Sequence, residues 1–113
     1  PLYSSAASDV YKRQTHDLKK IQEAFNTTEN LVITKTAQNS AFKMGYSLDD
    51  VVDAVQELLP EDFVHSKPAH SPALPGVWHD TYIMPWDKKK LFIKFAGATI
   101  VDITLTSFKE SDT

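Results

Sequence analysis

The chain has 113 residues, 42% hydrophobic and 24% charged, with a formal net charge of −3 and no cysteine. That length supports one domain around a single core. The lack of cysteine excludes disulfides, thiolate metal sites and cysteine nucleophiles, and it fits a reducing cytoplasm. No run approaches the ~18 consecutive apolar residues of a membrane span, and no signal-peptide core is visible, so no membrane partner is expected.

The net charge hides an asymmetry. Residues 15–62 carry four lysines against nine acidic side chains, whereas residues 63–110 carry six lysines against four. His65, His70 and His79, three of the four histidines, also fall in the back half. A polyanion would meet the back half first, although a solvated lysine face gives the same bias.

Residues 1–14 lack periodicity and read as a non-native leader, of the kind left by a sequencing adaptor, expected to be disordered and to lie outside a single domain over residues 15–113. Thr15 as a cap, with Leu18, Ile21 and Phe25 at helical spacing, predicts a short amphipathic helix over residues 15–25. Leu31-Val32-Ile33 reads as a connector. A second helix starts at Thr34 or Thr36, runs to about Met44 and stops at Gly45. Ser47-Leu48-Asp49-Asp50 resembles a capping box with aspartate in the glutamate role. The stripe Leu48, Val51, Val52, Val55, Leu58 and Leu59 continues that third helix until Pro60.

The back half reads as strands. Residues 63–66, 77–83, 91–96 and 99–108 are β-branched and aromatic, with a proline-punctuated loop over 67–76, a connection over 84–89 and a tight hairpin at Gly97-Ala98. About three N-terminal helices packed on a C-terminal antiparallel sheet of three to four strands make this an α+β domain. In the strand over residues 77–83, alternation sets Val77, His79 and Thr81 on one face and Trp78, Asp80 and Tyr82 on the other.

With only Gly45, Gly76 and Gly97, the chain has no phosphate-cradling glycine loop, and it has neither a nucleophile elbow nor a metal motif. No metal or cofactor is expected. What remains is a set of proton-transfer groups: His65, Lys67, His79, Lys94 and Lys109. Metal-free RNA cleavage needs such a set, because one group takes the 2′-hydroxyl proton, another protonates the leaving 5′-oxygen, and a cation stabilises charge at phosphorus. Lys88-Lys89-Lys90 forms a loop-borne basic cluster that tracks an RNA backbone or is simply solvated. Tyr82 is either a base-stacking surface or a core tyrosine, and Trp78 reads as core.

Several segments in order carry a resemblance: Ile33-Thr34-Lys35-Thr36-Ala37, Asp49-Asp50-Val51-Val52, Pro60-Glu61-Asp62-Phe63, Trp78-His79-Asp80-Thr81-Tyr82, Leu91-Phe92-Ile93-Lys94-Phe95 and Ser107-Phe108-Lys109-Glu110. Together they resemble the MqsR family, the RNA-cleaving toxins of bacterial toxin–antitoxin pairs, over residues 15–110. The resemblance implies a RelE-like fold and a metal-independent endoribonuclease that cuts mRNA at short sequences. It also implies a cognate antitoxin that neutralises the toxin and through which a DNA-bound complex forms. Lys109 matches the family's C-terminal lysine and is implied in phosphate binding or charge stabilisation. The chain departs from the family pattern where His79 stands for glutamine and Phe92 for a tyrosine. His65 aligns with a family lysine, and Lys67 lies two residues on.

The expected site is therefore Lys109, His79 and one of His65 or Lys67, with Lys94, Tyr82, Lys88, Lys89 and Lys90 on the substrate. The alternative is a catalytically weakened toxin fold that serves as an antitoxin-binding or regulatory module. Convergence of His79, Lys109 and His65 or Lys67 on one open sheet face favours catalysis, whereas burial of His79 under the helices favours the binding module.

Overall fold

The computed structural model describes residues 16–68 and 77–112. The leader expected over residues 1–14, the cap expected at Thr15, and His70 with the loop over 69–76 lie outside these residues.

Three helices come first. Helix α1 (Leu18–Ala24) is capped by Asp17, whose side chain accepts the Lys19 N–H at 2.8 Å. The expected first helix thus starts later, at the residue whose short acceptor satisfies its first free amides. Helix α2 (Lys35–Lys43) is capped by Thr34, which accepts from the Ala37 N–H at 3.2 Å. Gly45 follows α2 at φ +90°, the left-handed conformation that ends a helix without a Cβ clash. Helix α3 (Leu48–Glu57) opens with both bonds of the Ser47–Asp50 capping box. It ends short of Pro60, which instead opens a 3₁₀ turn over Pro60–Asp62.

Four antiparallel strands follow in the order β1 (Phe63–Pro68), β2 (Trp78–Trp86), β3 (Lys89–Gly97) and β4 (Thr104–Glu110). The architecture is the expected α+β arrangement, but two connections differ. The β2–β3 turn is only Asp87-Lys88, at φ 51° and 65°. Two left-handed residues match the twist of the flanking strands, so pairing runs on through Pro85 and Trp86. Conversely, Gly97-Ala98 is no hairpin. A 3₁₀ turn over Ile100–Asp102 intervenes before β4. The returning chain passes so close that a Cβ on Gly97 would lie 2.9 Å from the Ile103 Cα.

The stretch expected as a connector joins the sheet. Ile33 forms a parallel bridge to Leu105, whose N–H donates to the Val32 carbonyl at 2.8 Å while the Thr34 N–H donates to the Leu105 carbonyl at 3.0 Å. Part of the β4 edge is thereby paired rather than left open.

All three helices lie against one sheet face. Leu18, Ile21, Phe25, Ala41, Val51 and Val55 meet Tyr82, Met84, Leu91, Ile93, Phe95 and Phe108 in one core. The sheet alternates, so the residues between these strand positions point to the face the helices leave uncovered.

Candidate active site

Strand register arranges the uncovered face as rows. Lys67 pairs with His79 and His79 with Ala96. One row over, His65 pairs with Thr81, Thr81 with Lys94 and Lys94 with Ser107. The next row pairs Ile83 with Phe92 and Phe92 with Lys109. An irregularity in pairing between Phe63 and His65 resets β1, and another at Lys94/Phe95 resets β4. These offsets put His65 in the row of Lys94, and Lys109 beside Phe92.

His65, Lys67, His79 and Lys94 line one hollow of about 120 Å³, with Thr81, Phe92 and Pro68. His65 and Lys94 stand two strands apart, roughly 10 Å at the backbone, close enough for their side chains to lean over Thr81 toward one anion. Burial pushes the His65 pKa below the ordinary histidine value, and the positive charges of Lys67 and Lys94 push it the same way. His65 is therefore a neutral imidazole at pH 7, able to accept a proton.

A second hollow of about 410 Å³ adjoins the first and shares His65, Thr81 and Phe92 with it. Lys109 belongs here, with its Nζ 5.2 Å from the centroid of the Phe92 ring. His79 is half-buried on the open face, not under the helices. The expected convergence is thus split, with His79 and Lys109 lining neighbouring hollows and His65 lining both.

The lysine cluster expected in a loop is also divided. Lys88 sits in the hairpin turn, Lys90 is exposed opposite Pro85, and the Lys89 Nζ lies 5.4 Å from the centroid of the Tyr46 ring on the helix side. The short turn draws Lys89 and Lys90 into β3, where alternation sends them to opposite faces.

Of the two readings of Tyr82, the structure has the core tyrosine, and its place on the substrate is corrected. It is 0% exposed among the core side chains, edge-on to Phe63 and Phe95, and offers no surface to a base. Burial, with the charges of Asp80 and Asp17, raises its hydroxyl pKa well above the usual value. Among the described residues that hydroxyl has no hydrogen-bond partner, a state that costs about 1–3 kcal/mol. Tyr82→Phe is expected to leave activity unchanged and to raise stability by up to about 1 kcal/mol in urea titration. A loss of stability would reveal a partner for the hydroxyl.

A buried polar knot frames the site from the core side. Asp80 is 0% exposed, and it accepts the His16 N–H at 2.9 Å and the Ser66 hydroxyl at 2.7 Å. The His16 ring donates from Nε2 to the Gly97 carbonyl at 3.0 Å. Ser66 and Asp80 sit in the strand positions next to His65 and His79, so the knot fixes the stretch of β1 and β2 from which both histidines project. The alternation that put Asp80 on the Tyr82 face signalled this burial, whereas nothing local in the sequence pointed to His16.

Among the described residues, no group of three or more histidine, aspartate or glutamate side chains is placed to hold a metal ion, and no helix is long and apolar enough to cross a membrane. No curated protein matches the chain. A family model described as the motility quorum-sensing regulator, toxin of MqsA, matches residues 13–110. On that span, nearly the whole sequence, the chain belongs to the MqsR toxin family and is the toxin of a toxin–antitoxin system, with a cognate antitoxin as its partner.

Proposed function

We propose that this toxin is a metal-independent endoribonuclease that cleaves mRNA through the 2′-hydroxyl. The observation that carries the proposal is the joint lining of one open hollow by His65, Lys67, His79 and Lys94. Neutral His65 accepts the 2′-hydroxyl proton. The 2′-oxygen then bonds to phosphorus as the bond from phosphorus to the 5′-oxygen breaks, and His79 gives a proton to that leaving oxygen. The products are a 2′,3′-cyclic phosphate and a 5′-hydroxyl, and solvent returns both imidazoles to their starting states. Lys67 and Lys94 hold the non-bridging oxygens, and Lys109 reaches the growing charge from the adjoining hollow.

The departures at Phe92 and His79 are compatible with this scheme. Phe92 can neither donate nor accept a proton, but the imidazole of His79 can, which glutamine cannot. Substrate and toxin meet where mRNA is, in the cytoplasm, and a DNA-bound complex would form through the antitoxin. Phe92 is also what favours the second reading, a weakened toxin fold that retains only its antitoxin interface.

The test is incubation of mixed-sequence RNA with the purified full chain in EDTA. Cutting that resists EDTA and leaves 2′,3′-cyclic phosphate ends is the expected result. Failure of the folded chain to cut either free or ribosome-bound RNA would overturn the nuclease in favour of the binding module.

A further inference from the structure

The two hollows on the open face differ in chemistry. The smaller is lined by four cationic or titratable side chains, whereas the larger has Val64, Ile83 and Phe92 among its walls, with Lys109 at one side and the carboxylates of Glu110 and Asp112 beyond it. Phe92 stands on a central strand, half-buried, on the face away from the helices and outside their core. An aromatic side chain that served only packing would point into that core, where Phe25, Phe95 and Phe108 sit. Here the ring lies on the uncovered face, and its present cover is the Lys109 ammonium. A partly exposed ring under a cation, next to a cluster of positive charge, matches the recurring needs of single-stranded nucleic acid. Such binding combines a stacking surface for the base with cations that follow the backbone.

We propose that the larger hollow is a nucleobase subsite, in which a base of single-stranded RNA stacks on Phe92 while its phosphate lies among His65, Lys67 and Lys94. The assignment rests on the RNA-cleaving function proposed above and names how that substrate is held. The lysines of the smaller hollow favour the phosphate there, clear of Glu110 and Asp112, and continuity between the two hollows favours its base in the larger. The hollows share His65, Thr81 and Phe92, and successive rows of the sheet lie about 7 Å apart, a span that one nucleotide covers from base to phosphate. Lys109 couples the two ends. A phosphate attracts an ammonium group more strongly than a ring face does. Arrival of the backbone therefore draws Lys109 off Phe92 and uncovers the ring for the base. An aromatic floor accepts any base, so this subsite supplies grip and placement, not sequence choice.

The test uses a short 2′-O-methyl RNA, which the 2′-hydroxyl chemistry cannot cleave, and the same strand with a single abasic residue at each position in turn. Binding to the full chain is compared with binding to Phe92→Leu, which keeps an apolar side chain on the sheet, and to Phe92→Tyr, which keeps the ring. In the unaltered chain, an abasic residue at one position is expected to weaken binding by roughly 5- to 100-fold. Phe92→Leu should bind the intact strand about as weakly and lose little more at that position, while Phe92→Tyr should behave like the unaltered chain.

Loss of less than about twofold at every abasic position, or a full loss that persists in Phe92→Leu, overturns the subsite while RNA binding stands. Absence of any salt-sensitive binding of the intact strand overturns the RNA reading, and the subsite with it. If Phe92→Leu weakens binding of the antitoxin but not of RNA, the hollow is a protein contact and the subsite is overturned.

Discussion

His65→Ala is expected to lower kcat/KM for RNA cleavage by about 10²–10⁴-fold, the usual contribution of a positioned general base. Among the described residues, His65 lines both hollows and has its pKa lowered by burial and by Lys67 and Lys94. The direction of that shift fixes a further outcome. A base works in its proton-free form, so on the acid side of the profile the rate rises with pH through the His65 pKa. Because that pKa lies below the ordinary histidine value, the rising limb falls on the acid side of the usual histidine range. Lys67→Met or Lys94→Met removes a positive neighbour, raises the pKa and moves the limb to higher pH. The slope and position of log kcat/KM against pH measure both effects. More than about a tenth of the activity left in His65→Ala would remove His65 from the chemistry, and a limb that ignores both lysine changes would assign it to another group.

Legibility in the sequence followed the range of the forces involved. The capping box at Ser47 and Asp50 and the stop at Gly45 are local, and each is found where the sequence predicts it, whereas the α3 stripe holds through Val55, the helix ends at Glu57, and Leu59 is exposed. The alternation in β2 also sorted His79 and Thr81 from Asp80 and Tyr82 correctly, because a period of two needs no knowledge of partners. Turn lengths were less legible. The sequence at Asp87-Lys88 lacks the glycine that usually marks a two-residue hairpin, so residues 84–89 read as a connection although the strand continues through Pro85 and Trp86.

Nonlocal pairing was the least legible. That Ile33 bridges to Leu105, or that β4 slips by one residue beside Lys94 and so sets Lys109 opposite Phe92, depends on contacts more than ten residues apart in sequence. The division of Lys88, Lys89 and Lys90 between turn and two faces is a direct consequence of the turn. The placement of His79 and Lys109 in adjoining hollows likewise follows from strand register, which residue types alone do not encode.

The largest stability effect is expected at Asp80, whose side chain is buried on the core side of β2. Asp80→Ala strips the acceptor from the His16 N–H and the Ser66 hydroxyl, both buried. Losing these bonds to a buried carboxylate is expected to cost about 3 kcal/mol, a large share of the stability of a small domain. The urea midpoint should fall with little change in slope. Asp80→Asn keeps one carbonyl acceptor and should recover part of the loss. Since His79 and Ser66 lie beside the knot in sequence or register, the folded fraction of either variant tests what the knot does. Cleavage per folded molecule should fall only where the strand stretch carrying His65 and His79 loosens, and Asp80→Asn should then cut nearly as well as the unaltered chain. A variant of undiminished stability that no longer cuts would instead move Asp80 from the frame of the site into its chemistry.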